Sequence, residues 1–136
     1  MRKFFTILLM SLVALTAYAQ EEYATWSATV KDNGNGSQTI IVRADIVKGW
    51  HIYDARHAVT PTTLKFEVGK GITLDGETIA LSKAKEVNDE YFGTYGEYEK
   101  EAIFEQKVTA KNGGNVKVKI EYQACNEGQC TPPAEA

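Results

Sequence analysis

Alternation with a period of two runs through most of this chain and restricts its fold more than any other feature. Val116, Val118, Ile120 and Tyr122 alternate strictly with Lys117, Lys119 and Glu121. Ile40, Val42, Ala44 and Ile46 alternate in the same way with Ile41, Arg43 and Asp45, and Trp26, Ala28 and Val30 with Ser27, Thr29 and Lys31. Successive side chains of a strand point to opposite faces, so each run offers one apolar face to a core. The segment Asp32-Asn33-Gly34-Asn35-Gly36-Ser37 between two of these runs contains Asn-Gly, the strongest short hairpin signal. Leu64, Phe66 and Val68 alternate again, residues 72–87 hold one or two short strands, and Tyr98 to Thr109 reads as a strand with imperfect alternation. Lys111-Asn112-Gly113-Gly114 reads as a hairpin turn, and Asn88 to Gly96, with acids, aromatics and glycines in no period, reads as a loop. Short strands at regular spacing with no helical stretch predict an all-β protein, an antiparallel β-sandwich.

The first residues are an exception. Arg2 and Lys3 form a basic head, Phe4 to Ala17 an apolar run, and Ala17-Tyr18-Ala19 a small-x-small cleavage site. This is the pattern of a secretion signal over residues 1–19, too short to span a bilayer comfortably and followed by polar Gln20-Glu21-Glu22. Removing 19 of the 136 residues leaves 117, enough for one domain over residues 20–136. Without Arg2 and Lys3, 13 of the 15 basic residues face 18 acidic ones, a net charge of about −5. A mildly acidic exported domain with no basic stripe is a poor nucleic-acid binder. The expected mature form is exported and soluble, and nothing in the sequence demands more than a monomer.

The two cysteines, Cys125 and Cys130, lie near the C-terminus between the last alternating run and Pro132-Pro133, which reads as a stop. Export puts them where disulfides persist. A ring of about six residues stabilises a fold by only about 2 kcal/mol and ties no distant segments together. The pair is therefore either a local brace or a redox site. A zinc site would need His51, His57 or distant carboxylates in addition, because no second cysteine pair completes a four-thiolate set.

Thiol–disulfide exchange requires a thiolate, and at an unperturbed pKa of about 8.5 only about 3% of a thiol is ionised at pH 7. Between Gln123 and Ala136 there is no Lys, Arg or His, and Glu127 lies inside the ring. Local charge thus disfavours the thiolate, and an active pair would act with a partner that brings its own activated thiol. Asp89 and Glu90 are candidates for handling protons, and Tyr91 and Phe92 for shielding the sulfurs. On residues alone the same segment also reads as an exposed acidic turn, His51 as a half-buried packing histidine and Tyr53 as core.

Tyr122-Gln123-Ala124-Cys125, Cys130-x-Pro132-Pro133, Asp89-Glu90-Tyr91-Phe92-Gly93 and Trp50-His51-Ile52-Tyr53 occur in an order that resembles the periplasmic N-terminal domain of the thiol:disulfide interchange protein DsbD. The similarity covers essentially the whole mature chain. It implies an immunoglobulin-like antiparallel β-sandwich that takes electrons from a membrane-embedded donor and passes them to thioredoxin-fold periplasmic proteins, as a component of protein-disulfide reduction. It implies that Cys130 forms the mixed disulfide and Cys125 resolves it. Tyr91 would be the cap aromatic, where better-known members carry Phe, with Phe92 beside it. Asp89 and Glu90 would be the acids near the sulfurs, and His51 and Tyr53 two rings lining the site. His51 stands where a tyrosine is expected, the C-x4-C spacing is one residue tighter than expected, and the family's further domains lie outside these 136 residues. That fits either a free-standing carrier or a piece of a longer protein.

No dissociable cofactor, metal or small-molecule ligand is expected, since the cysteines themselves hold the electrons. The rival reading is an exported immunoglobulin-like binding or adhesion module whose disulfide is a brace.

Overall fold

The computed structural model describes residues 22–136, so the signal segment lies outside the described residues. The chain forms β1 (Ala24–Gly34), β2 (Ser37–Ile46), β3 (His51–Tyr53), β4 (Thr63–Val68), β5 (Thr73–Ala80), β6 (Lys85–Asp89), β7 (Gly93–Tyr98), β8 (Glu101–Thr109), β9 (Val116–Tyr122), β10 (Ala124–Cys125) and β11 (Ala134–Glu135). Three sheets result, with strand orders β1-β2-β8-β5, β10-β3-β7-β6 and β11-β9-β4. All the pairings are antiparallel. The two smaller sheets meet where β9 passes through Gln123 into β10.

The core lies between the first sheet and the other two. Ile40, Val42, Ala44 and Ile46 from β2 and Ala102, Phe104 and Val108 from β8 meet Ile52, Tyr98, Ile120, Tyr122 and Ala124. Trp26 bridges the layers, 6.3 Å from the Phe104 ring and 5.4 Å from that of Tyr122. The Asn-Gly signal is borne out: Asn35 and Gly36 are the two central residues of the β1–β2 turn, with φ of 55° and 80°. Positive φ at both positions is what a type I′ turn needs, and its twist matches that of the flanking strands.

Several elements differ from the sequence-based expectation for identifiable reasons. The stretch expected as a loop at Asn88 to Gly96 is mostly the β6–β7 hairpin, and only residues 90–92 form its turn. Its period was hidden because β7 buries a tyrosine on each face, Tyr95 on one and Tyr98 on the other. The Gly113-Gly114 segment closes no hairpin, since β8 and β9 belong to different sheets. The strand expected from Tyr98 to Thr109 breaks at Lys100, which takes a positive φ of 69°. Pro132-Pro133 is no stop either, because β11 follows and pairs with β9.

The irregular alternation of β8 comes from Gln106, which sits in an inward position at 2% exposure. Its amide group accepts a hydrogen bond from Thr78 Oγ1 (2.8 Å) and donates to the carbonyls of Gly76 and Lys107. It thereby satisfies β5 where the β5–β8 register shifts between Asp75 and Ile79.

Alternation also overstates burial at a sheet edge. Val42 and Val30 lie on one face of the β1–β2 pair, yet Val42 is 1% exposed and Val30 62%, because β1 is an edge strand and its distal half passes beyond the core. Val42→Ala is expected to cost about 2 kcal/mol through the cavity it leaves. Val30→Ala should stay within about 0.5 kcal/mol of the parent. Urea denaturation midpoints of the two variants check this.

Candidate functional site

The spacing of the two cysteines is explained by a β-turn. Asn126, Glu127, Gly128 and Gln129 form it, closed by Asn126 N–H donating to the Gln129 carbonyl at 2.8 Å. The Asn126 side-chain oxygen accepts from the amides of Gly128 and Gln129, both at 2.9 Å, fixing the turn from inside. One step outward, Cys125 and Cys130 face each other as an antiparallel pair with Cα atoms 4.0 Å apart, joined by a disulfide. One step further, Thr131 N–H donates to the Ala124 carbonyl at 2.8 Å. Four intervening residues are what such a turn needs to set two side chains opposite one another.

The turn is tied to the rest of the fold through Gln123. Its side chain donates to the Thr131 carbonyl (2.8 Å) and accepts from Thr60 Oγ1 (2.9 Å).

The strand ladders place the candidate residues. Cys125 pairs with His51, Tyr53 with Glu97, Glu97 with Lys85, Tyr95 with Val87, and Gly93 with Asp89. Directly opposed residues share a face, as do residues two apart on one strand. Cys130, Cys125, His51, Tyr53, Glu97, Tyr95, Val87 and Asp89 therefore lie on one face of the β10-β3-β7-β6 sheet. Ala124, Ile52 and Tyr98 lie on the other face, in the core. This sheet separates site from core by strand parity alone.

The two sulfurs are not equivalent. Cys125 is 1% exposed and lies in one buried cluster with Tyr53 and Tyr95, whose edge Val87 covers, whereas Cys130 is exposed at the surface. His51 Nε2 lies 3.3 Å from the Tyr53 hydroxyl and 3.4 Å from Glu97 Oε2. Burial, followed by the nearby Tyr95 and Glu97, pushes the Tyr53 phenol up to about 12, so it stays protonated. Burial likewise raises Tyr95, with Glu97 and Asp89 adding to the effect.

His57 lies at the centre of the aromatic packing around the site. Its ring stacks on Tyr53 (4.0 Å) and Phe92 (5.4 Å) and meets Tyr95 edge-on (4.6 Å). Its Nδ1 accepts from the amides of Val59 (3.2 Å) and Thr60 (3.0 Å). Burial lowers the His57 pKa, and the carboxylates of Asp54, Asp89 and Glu97 only partly offset that.

The structure brings together some of the residues expected from sequence and separates others. Cys125, His51 and Tyr53 are neighbours. Asp89 stands on the same face but three strands from Cys125, roughly 14 Å across a sheet. Its Oδ1 accepts from the amides of Tyr91 (2.7 Å) and Phe92 (3.0 Å), so it caps the hairpin turn. Glu90 is exposed on that turn. Tyr91 is 86% exposed, and Phe92 meets the site by stacking on His57.

Sequence reasoning missed Glu97, Tyr95 and the packing role of His57. For Glu97 the signal was parity, since it is the ladder partner of Tyr53, and Tyr95 lies two residues before it on the same face. His57 lies outside the strand ladders and gave no such signal. Among the described residues, no three His, Cys, Asp or Glu side chains come together to hold a metal ion.

Comparison with known proteins agrees with this arrangement. No curated protein sequence matches the chain. The reduced DsbD N-terminal domain of Neisseria meningitidis is 25% identical, with a TM-score of 0.52, over 79% of this chain and 78% of that one. The same organism's complex between the DsbD N-terminal and PilB N-terminal domains contains a chain 26% identical to this one, with a TM-score of 0.55, over 82% and 78%. The N-terminal periplasmic domain of ScsB from Proteus mirabilis shares the fold, with a TM-score of 0.55 at 15% identity, over 85% of this chain and 45% of that one. These neighbours make the sandwich immunoglobulin-like, as expected. The sequence model described as "Thiol:disulfide interchange protein DsbD, N-terminal" matches residues 18–136. A match of that extent, which includes the bonded cysteine pair, means that this chain belongs to the DsbD N-terminal family.

Proposed function

We propose that this domain is a periplasmic electron carrier that works by thiol–disulfide exchange at Cys125–Cys130. The observation that carries the reading is the asymmetry of the pair, an exposed Cys130 bonded to a buried Cys125. Attack must come in line on an accessible sulfur. A donor thiolate attacks Cys130 Sγ, the Cys125–Cys130 bond breaks, and the electron pair passes to Cys125 Sγ. The donor's second thiol then releases Cys130, leaving a dithiol that has gained two electrons and two protons. Delivery runs in reverse: Cys130 attacks the acceptor's disulfide, and Cys125 resolves the mixed disulfide.

The partners in this reading are thioredoxin-fold proteins on the acceptor side and a membrane-embedded donor. The related domain's complex with the PilB N-terminal domain supports a protein partner. Among the described residues no helix is long and apolar enough to cross a membrane. The β6–β7 turn is the segment a partner meets first. Tyr91, the ring expected to cap the sulfurs, projects outward at 86% exposure and offers itself to a partner, while Phe92 holds the hairpin to the site through His57. Asp89 acts by shaping the turn, and exposed Glu90 adds charge at the rim. A local-brace module explains neither the aromatic lining nor the family match.

The reading is tested by equilibrating the purified protein across a thiol redox series. A carrier is expected between roughly −120 and −270 mV, and a value below about −300 mV would overturn the proposal in favour of a structural disulfide. In the presence of a thioredoxin-fold partner, Cys125→Ser should accumulate a mixed disulfide through Cys130, and Cys130→Ser should not. Mass spectrometry of the trapped species checks this.

The anchor of the cap hairpin should respond to acid. The His57 pKa lies below its unfolded value of about 6.5, so its contribution is present above that pH and lost as pH falls through the folded value. The stability gap between the parent and His57→Gln should therefore be widest near pH 7.5 and close towards pH 5, read by urea denaturation.

A further inference from the structure

Exchange at this pair leaves one step without an obvious agent. When Cys130 is attacked, negative charge develops on Cys125 Sγ, which is 1% exposed and lies in one buried cluster with Tyr53 and Tyr95. Burial in apolar surroundings disfavours that charge, so the sulfur needs a proton as the bond breaks. No Lys, Arg or His occurs between Gln123 and Ala136. Asp89 is three strands away and its Oδ1 is engaged in capping a turn, while Glu90 is exposed at the tip of that turn.

One titratable ring stands directly opposite the buried sulfur. Cys125 and His51 are ladder partners, which puts their Cβ atoms about 5 Å apart on the same face. His51 is held from two sides, by the Tyr53 hydroxyl 3.3 Å from Nε2 and by Glu97 Oε2 3.4 Å from the same nitrogen. Glu97 itself is mostly buried, and it pairs across the ladder with Tyr53. Phenol, carboxylate and imidazole thus come from two neighbouring strands, with Cys125 on the third. Tyr53 stays protonated and can only orient the ring or share its proton.

We propose that His51 is the proton donor and acceptor for Cys125, with Glu97 and Tyr53 as its positioning residues. The inference rests on the exchange reading above and assigns that reaction its proton carrier. On reduction of the domain, the donor thiolate bonds to Cys130 Sγ, the S–S electron pair goes to Cys125 Sγ, and the imidazolium passes its proton to that sulfur. On delivery, the imidazole takes the Cys125 proton as the sulfur attacks the Cys130 mixed disulfide and the acceptor leaves as a thiolate. The titratable groups facing His51 are Cys125 from β10, Tyr53 from its own strand and Glu97 from β7.

The test uses the purified protein and dithiothreitol as reductant, with thiols counted by alkylation and mass spectrometry from pH 5.5 to 8.5. His51→Phe keeps an aromatic ring but carries no proton, and His51→Gln keeps hydrogen bonding without titration. Both are expected to slow reduction at pH 7 by at least about tenfold, with the deficit narrowing as the pH falls and solvent supplies the proton. Glu97→Gln should slow the same step by about threefold, a smaller loss in the same direction because the ring remains. Rates and pH profiles equal to the parent's in every variant that folds, judged by circular dichroism, would overturn the assignment of His51 while leaving exchange intact. A parent protein that dithiothreitol does not reduce on the timescale of known exchange catalysts would instead overturn the exchange reading itself.

Discussion

The structure depends on the burial of Ile52 between Ala124 and Tyr98. This wholly buried residue sits in the three-residue strand β3, with β10 on one side and β7 on the other. Burying a side chain of that size contributes about 2 kcal/mol and fixes which face of β3 is inward. Its sequence neighbours His51 and Tyr53 must then point outward. A shift of one residue would put the histidine and tyrosine into the core and expose the isoleucine, so the register admits no compromise. The position of the site follows from that one inward residue.

The same logic accounts for the asymmetry of the cysteines. Cys125 belongs to the strand that pairs with β3 and is covered by the aromatic side chains of the outer face. Cys130 belongs to the returning arm of the turn and has solvent before it. Attack on the outer sulfur and charge on the inner one are thus separated by backbone position. The cost is that the inner sulfur carries its charge where burial penalises it. On the proposed assignment, proton handling therefore falls to the face of β3 and β7 rather than to the turn, where no Lys, Arg or His occurs.

Much of this was legible in the sequence, because period-two patterning is strong wherever one face of a strand meets solvent. Strands β2 and β9 and a turn within residues 32–37 could be read directly, and the spacing of the cysteines allowed a disulfide without deciding its role. What escaped has a common physical origin. The β6–β7 hairpin lost its period because Tyr95 and Tyr98 are buried on opposite faces of one strand. Gln106 disguised a core position because its amide is satisfied by Thr78, Gly76 and Lys107, which are invisible in a linear pattern. The partner of β8 could not be deduced, since a short glycine turn looks the same whether it closes a hairpin or crosses between sheets. The family resemblance pointed to the right segments. It could not show that Asp89 spends an oxygen on its own turn, or that Glu97, which lies outside the resembling motifs, reaches His51.

The turn that carries the disulfide is held by bonds that do not involve sulfur. Asn126 braces it from within, Thr131 pairs with Ala124, and Gln123 ties it to Thr60. None of these bonds uses sulfur, so opening the S–S bond removes none of them directly, and a turn that keeps them would present nearly the same backbone in both redox forms. Shape then offers a partner no free-energy difference by which to prefer one form over the other. Discrimination between a loaded and an empty carrier must come from the sulfur chemistry after docking. In the proposed exchange, the same surface would then serve the protein that delivers electrons and the protein that collects them, one after the other.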